Sequence, residues 1–405
     1  MNTTPVRIFP AIIFITAAIA FLVGCGGSSS SGNSSPVAVP QNLEANAMNG
    51  KAELTWQPVE DATSYTLYYS TQASIDINNP GGTGDWDMVT DATSPHTAAG
   101  LENGTPYYFV VTATVDARES AASNEVDVTP LEGVAGYTIV EQTVSIAAQD
   151  EARENTWCPE DQIAVGGGIQ LGSGETDTAA LQIRHQRSST SGSGLSGWSS
   201  GMQNHNTTQA VTARQHVICA DAPAGYARSG PFRGQYPAVG EHRAYTTLCP
   251  EDLVMLVGGD GPGLDDHGVF LTIFSQPGEQ NGTWETALLH EGGPTENTLT
   301  WREAQCSSPL RGLSTRTSYQ IRPDQRIAAG SYGERSMSCA EGQRVLHGGP
   351  WAPSADTAHL GDIRLQQSYP DSNAQGQDVW RIRIYNDGSE PIPMGIFAIC
   401  VDSDD

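Results

Sequence analysis

Apolar and polar residues alternate along much of this chain. Lys51-Ala52-Glu53-Leu54-Thr55-Trp56 switches at every step, and so does Ser64-Tyr65-Thr66-Leu67-Tyr68-Tyr69-Ser70. A period of two puts every second side chain on one face, so such runs read as strands with one buried side. Further strand-like runs follow at Ile163-Ala164-Val165, at Val379-Trp380-Arg381-Ile382-Arg383-Ile384-Tyr385 and at Gly395-Ile396-Phe397-Ala398-Ile399-Cys400. Turn residues separate them, and helical periodicity is weak throughout. The pattern predicts an all-β protein.

One stretch has no alternation. Residues Ile8 to Val23 are apolar, Arg7 is the sole charge before them, and Gly and Ser follow. The run is short for a bilayer span and has the layout of an export signal. It ends in Leu22-Val23-Gly24-Cys25, which resembles the lipobox of bacterial lipoproteins. That resemblance implies removal of residues 1–24 as a signal peptide, a diacylglycerol on the Cys25 thiol and an acyl chain such as palmitate on its amine. Two or three chains hold a protein on a membrane where one is marginal. Gly26 rather than Asp follows the cysteine, so the expected location is the outer membrane, facing the periplasm or the cell surface. Residues 25–38 are rich in Gly and Ser and read as a flexible tether.

Charge narrows the partners. Asp and Glu number 46 against 20 Lys and Arg, giving a net charge of -26, and Lys51 is the only lysine. Phosphate backbones require Lys and Arg to displace counterions, so nucleic acid is excluded as a partner. The membrane contact expected is the N-terminal lipid, not electrostatic attraction to headgroups.

From Pro40 to Pro130 the short strands carry specific landmarks. Trp56 ends a strand, and Leu101-Glu102-Asn103-Gly104-Thr105-Pro106-Tyr107-Tyr108-Phe109-Val110-Val111-Thr112-Ala113 precedes Ser123-Asn124-Glu125-Val126. This resembles a fibronectin type III domain, over residues 39–131. The resemblance implies a β-sandwich with Trp56 in the core and Tyr107 as a corner tyrosine tied by its hydroxyl to the preceding turn. It implies a spacer or interaction module. The segment from Asp76 to Asp91 is long and rich in Asp, Asn and Gly. Oxygen ligands of this kind suit Ca²⁺, but the spacing fits no EF-hand, and turns are the favoured reading.

From Gly136 the chain repeats. Cys158-Pro159-Glu160-Asp161, Cys249-Pro250-Glu251-Asp252 and Cys339-Ala340-Glu341-Gly342 open similar units. Each is followed by a glycine pair (Gly167-Gly168, Gly258-Gly259, Gly348-Gly349), a tryptophan (Trp198, Trp284, Trp380) and a closing cysteine (Cys219, Cys306, Cys400). Each is preceded by a small apolar tract: Ile146-Ala147-Ala148, Pro237-Ala238-Val239 and Ile327-Ala328-Ala329. Residues 136–403 therefore read as three copies of one unit, at about 136–221, 225–308 and 318–402. Six cysteines allow many pairings, of which only one or two respect the repeat. The economical set is Cys158–Cys219, Cys249–Cys306 and Cys339–Cys400, which fits an oxidising compartment.

Three β-units in one chain suggest a closed pseudo-threefold body, since closure hides sheet edges. A β-prism-like fold is expected, with a β-trefoil-like fold as the alternative. The units resemble uncharacterised repeats of secreted bacterial proteins. Asp177-Thr178-Ala179-Ala180-Leu181-Gln182-Ile183-Arg184 and Asp356-Thr357-Ala358 give a remote resemblance to vitelline-membrane outer-layer proteins, which are β-prisms; Asp265-Asp266-His267-Gly268 departs from it. Asp177, Asp266 and Asp356 recur and are the candidate ligand-binding residues, with turn formation the simpler reading. The glycine pairs read as turns or bulges, and the tryptophans as core.

No Cys-x-x-Cys, His-Glu-x-x-His, Gly-x-Ser-x-Gly or phosphate-loop signature occurs. The sequence thus nominates no catalytic residue, metal or cofactor. The expected function is non-enzymatic: a lipid-anchored recognition or adhesion head on a spacer, with a glycan or surface protein as partner. The alternatives are a structural envelope or matrix protein without a specific ligand, and, less favoured, a secreted polysaccharide hydrolase.

Overall fold

The computed structural model describes residues 36–79, 86–172, 181–235, 237–262, 269–278, 282–292, 299–320, 326–351 and 363–405. The described residues are all-β. The N-terminal unit is a sandwich of eight strands: β1 (Gln41–Met48), β2 (Lys51–Gln57), β3 (Ser64–Ser70), β4 (Asp87–Thr90), β5 (His96–Ala99), β6 (Tyr107–Val115), β7 (Arg118–Glu119) and β8 (Val126–Val128). One sheet runs β1-β2-β5, and the other runs β4-β3-β6-β7 with β8 on β6. Alternation along β2 buries Ala52, Leu54 and Trp56 while Lys51 and Gln57 stay exposed. Those residues meet Leu67, Phe109, Val111 and Val128 from the opposite sheet in one core. Tyr107 Oη accepts the backbone N–H of Glu102 at 3.1 Å, so the strand is pinned to the turn before it.

Three units of six strands follow. The first holds β9 (Thr138–Ile146), β10 (Glu151–Trp157), β11 (Gln162–Leu171), β12 (Leu181–Thr190), β13 (Ser196–Asn204) and β14 (Val211–Asp221). The second holds β15 (Ala227–Gln235), β16 (His242–Leu248), β17 (Val254–Pro262), β18 (Val269–Pro277), β19 (Thr283–Gly292) and β20 (Leu299–Ser307). The third holds β21 (Ser314–Gln320), β22 (Tyr332–Ser338), β23 (Gln343–Trp351), β24 (Ile363–Ser372), β25 (Asp378–Asn386) and β26 (Met394–Asp402). In every unit the first, sixth and third strands form one antiparallel sheet, and the second, fifth and fourth form another.

These half-sheets join across units. β12 pairs β17 where Gln186 faces Asp260, and β24 pairs β11 where Ser368 faces Ile169. Two six-stranded walls result: β10-β13-β12-β17-β20-β15 and β22-β25-β24-β11-β14-β9. At the third junction β18 runs beside β23, with no ladder between them among the described residues. The first unit thus shares a wall with each of the other two, the second and third meet through β18 and β23, and the body closes around a pseudo-threefold axis. This is the prism arrangement. The trefoil alternative does not form, because the strands lie in walls rather than in a barrel capped by hairpins.

The axis explains the repeated residues. Trp198, Trp284 and Trp380 are fully buried and surround His347, with ring centroids 5.3, 5.7 and 5.2 Å away. The first glycine of each pair lies under the tryptophan of its own unit: a Cβ on Gly167, Gly258 or Gly348 would overlap the indole of Trp198, Trp284 or Trp380. The second faces a neighbouring unit in the first two copies, whereas a Cβ on Gly349 would come within 3.1 Å of Phe397 in its own unit. A Cβ on Gly168 would overlap the Ser368 carbonyl, and one on Gly259 would lie 2.7 Å from Arg187 Cα. Of the two readings, turns or bulges, no turn forms at these pairs. These residues lie inside strands β11, β17 and β23 without left-handed angles. What they supply is room for a ring and for a neighbouring backbone. Register shifts do occur just before each pair, at Ala164/Gly166, Met255/Val257 and Val345/His347.

The left-handed positions lie elsewhere and also repeat. Asp161, Asp252 and Gly342 have φ of 69, 69 and 78° in the turn after each first cysteine. The three disulfides join Cys158–Cys219, Cys249–Cys306 and Cys339–Cys400, with Cα–Cα distances of 5.6, 5.8 and 5.6 Å, ordinary for the bond. The chain end ties the two bodies together. Asp404 Oδ2 accepts from Asn49 Nδ2 of the sandwich and from the Gly133 N–H of the connection, both at 2.8 Å. Its Oδ1 accepts from Arg311 Nη2, also at 2.8 Å.

Candidate functional site

The internal symmetry holds for the buried residues around the axis and breaks on the outward faces of the fifth strands. Alternation along β25 points Trp380, Ile382 and Ile384 into the core and leaves Arg381, Arg383 and Tyr385 facing outward. Counted from the equivalent tryptophans, Arg381 and Arg383 correspond to Ser199 and Gly201 on β13 and to Glu285 and Ala287 on β19. Only the wall that begins with β22 therefore presents this arginine pair.

On that wall β22, β25 and β24 form an open groove of about 310 Å³. Its charged lining consists of Arg335, Arg381 and Arg383 with Glu334 and Asp371. Arg381 Nε lies 2.5 Å from Asp371 Oδ2, and Arg383 Nε 3.6 Å from Glu334 Oε1. The guanidinium of Arg383 also stacks over the Tyr332 ring at 4.0 Å. Tyr369, in the groove floor, stacks on His216 of β14 with centroids 5.7 Å apart. Burial raises the Tyr369 hydroxyl, with Asp371 adding to the shift, and burial lowers His216. Tyr369 is thus a neutral hydrogen-bonding group at neutral pH.

A second space lies on the axis. His347 forms one side, and the pseudo-equivalent sets Ile183, Thr272, Leu365 and Gln186, Ser275, Ser368 form the rest of a narrow crevice of about 30 Å³. Trp284 Nε1 donates to Ser275 Oγ at 2.7 Å and Trp380 Nε1 to Ser368 Oγ at 2.9 Å. Gln186 stands where the serine would be in the first unit, and Trp198 Nε1 has no protein partner there. Burial alone pushes His347 down to about 3, so its ring is neutral. The crevice is a flaw in the threefold packing more than a receptor: it is narrow and centred on a neutral ring.

Asp177, Asp266 and Asp356 lie outside the described residues, as does Cys25. Of the acidic loop, Asp76 makes a turn, its Oδ1 accepting from the Asn78 N–H at 3.0 Å and its carbonyl from the Asn79 N–H at 3.1 Å. Among the described residues no group of three His, Cys, Asp or Glu is placed to hold a metal. No helix among them is long and apolar enough to cross a membrane. The groove residues were missed, although the alternation of Arg381, Arg383 and Tyr385 against Trp380, Ile382 and Ile384 carried the signal.

Comparison with known proteins bears on the sandwich. The fibronectin type III domain family model matches residues 38–129, where the corner tyrosine and the buried Trp56 have just been placed. Residues 38–129 are a fibronectin type III domain. Among solved structures, an Fn3-like protein from Clostridium thermocellum is 32% identical, covering 23% of this chain and 92% of its own, with a TM-score of 0.19. The third fibronectin III domain of the human KIAA0343 protein is 27% identical over 26% of this chain and 91% of its own, with a TM-score of 0.21. Chitinase ChiA74 from Bacillus thuringiensis is 13% identical over 47% of this chain and 28% of its own, with a TM-score of 0.19. No curated protein matches the chain. The prism is thus described by its geometry alone.

Proposed function

We propose that this chain is a lipid-anchored cell-envelope protein, non-enzymatic, in which a fibronectin type III spacer holds out a β-repeat head for recognition or adhesion. The head's one-sided groove is the observation that carries the reading. A purely structural prism has no need for the arginine pair Arg381 and Arg383, which the equivalent positions Ser199 and Gly201 on β13 and Glu285 and Ala287 on β19 do not repeat. The three disulfides suit an oxidising compartment outside the cytoplasm. The Leu22-Val23-Gly24-Cys25 sequence supports anchoring at Cys25.

A hydrolase reading fits the groove less well. Glycoside hydrolysis needs one carboxyl kept protonated by an apolar setting. Glu334 and Asp371 instead have side chains 67% and 40% exposed and lie beside arginines. Two measurements test the proposal. Palmitate labelling of cells expressing the chain should mark the wild type and not Cys25→Ala. The full chain on a broad glycan and envelope-protein array should retain a defined set of ligands; silence across both panels would leave the structural reading in its place.

A further inference from the structure

The groove has a chemistry that narrows its ligand beyond recognition in general. In a chain with 46 acidic and 20 basic residues, three arginines outnumber two carboxylates within one depression. The planar guanidinium fork matches the two oxygens of a carboxylate or sulfate. The pair Arg381–Asp371 has side chains 39% and 40% exposed, and exposed pairs of this kind contribute little by themselves. They orient the guanidinium at small cost and can share it with an incoming anion.

Both signs are needed to define the ligand. Glu334 and Asp371 accept hydrogen bonds and so suit hydroxyl groups. Tyr332, 53% exposed, offers ring surface at one side. A polyanion without hydroxyls meets two carboxylates here and a strongly acidic protein around them. A polymer that carries hydroxyls beside each acidic group meets a partner for both. We infer that the groove between β22, β25 and β24 binds an acidic polysaccharide, its carboxylate or sulfate groups on Arg381 and Arg383 and its hydroxyls on Glu334 and Asp371. This rests on the recognition reading above and specifies its site and ligand class.

The experiment uses the full chain with three probes: polygalacturonate, neutral dextran and poly-glutamate, each measured by titration calorimetry at two salt concentrations. The wild type should bind polygalacturonate, more weakly at high salt, and should prefer it to both other polymers. Arg381→Gln should lower that affinity by about tenfold, the size of one lost charge-assisted hydrogen bond. Arg381→Lys, which keeps the charge without the fork, should fall between. An unchanged melting temperature for both variants shows that folding is intact. Equal binding of dextran, equal capture of poly-glutamate, or an unaltered Arg381→Gln affinity overturns the inference. If the array detects only neutral glycans, this inference fails and the recognition reading stands; if it detects nothing, both fail.

Discussion

At Gly258 a single methyl group has nowhere to go. The indole of Trp284 lies against the backbone there, and any Cβ would overlap it. Gly258→Ala should therefore destabilise the head by about 1–3 kcal/mol, the range for overpacking a dense core, with Gly167→Ala and Gly348→Ala behaving alike in urea unfolding. By contrast Gly342→Ala, where a Cβ meets open space but φ is 78°, should cost only the strain of a left-handed backbone, about 1 kcal/mol. His347 sets a different sensitivity. Its folded value is about 3 against an ordinary 6.5, so the unfolded chain takes up the proton first as pH falls. Stability contributed at this site is complete above about pH 6.5 and is lost progressively down to about pH 3. Burial also lowers His185 and His216, which act in the same direction. Replacing His347 with Leu should flatten, without abolishing, the acid slope of stability measured by denaturant titration.

Among elements, the sixth strand of each unit is the organiser. β14, β20 and β26 are each central to a three-stranded half-wall and each carries the closing cysteine. The bond ties that strand to the chain entering the third strand, across a separation of 57 residues in the second unit. Restraining a loop of this size stabilises a fold by roughly 2–5 kcal/mol. The double variant Cys249→Ser with Cys306→Ser should lower the thermal midpoint accordingly. Because the Cys306 strand pairs with β17, and β17 with β12 of the first unit, protection from hydrogen exchange should weaken in β12 as well. A loss confined to the second unit would contradict the shared-wall arrangement.

For the whole molecule the decisive contacts are few and lie at the chain end. Asp404 receives hydrogen bonds from the sandwich, the connection and Arg311 at once. Arg311 N–H in turn bonds the Glu132 carbonyl at 2.7 Å, and Val134 bridges Ser403. An aspartate with three partners from three segments fixes an angle between bodies that a bare connection would leave free. Asp404→Ala should leave each body folded, with a single set of near-native spectra. Small-angle scattering should then show a broader distribution of distances between them. An unchanged scattering profile would show that the orientation is fixed by other contacts.

Much of this could be read from the chain alone, wherever the determining interactions are local or periodic. Alternation gave strands, because a period of two needs only neighbouring residues. Tyr107 and Trp56 marked the fibronectin type III sandwich, because their partners lie a few residues or one strand away. Cysteine spacing gave the pairing that the structure contains, because the copies must obey the same geometry. The tertiary structure alone decided the rest. Gly167 and Gly168 sit together in sequence yet answer to different units, one to Trp198 and the other to Ser368. His347 is one histidine of nine until three tryptophans are placed around it. Likewise Arg381 gains its meaning from Asp371 across the ladder and from the unlike residues at its pseudo-equivalents. These are contacts between distant segments, and repeat periodicity constrains only what the three copies share.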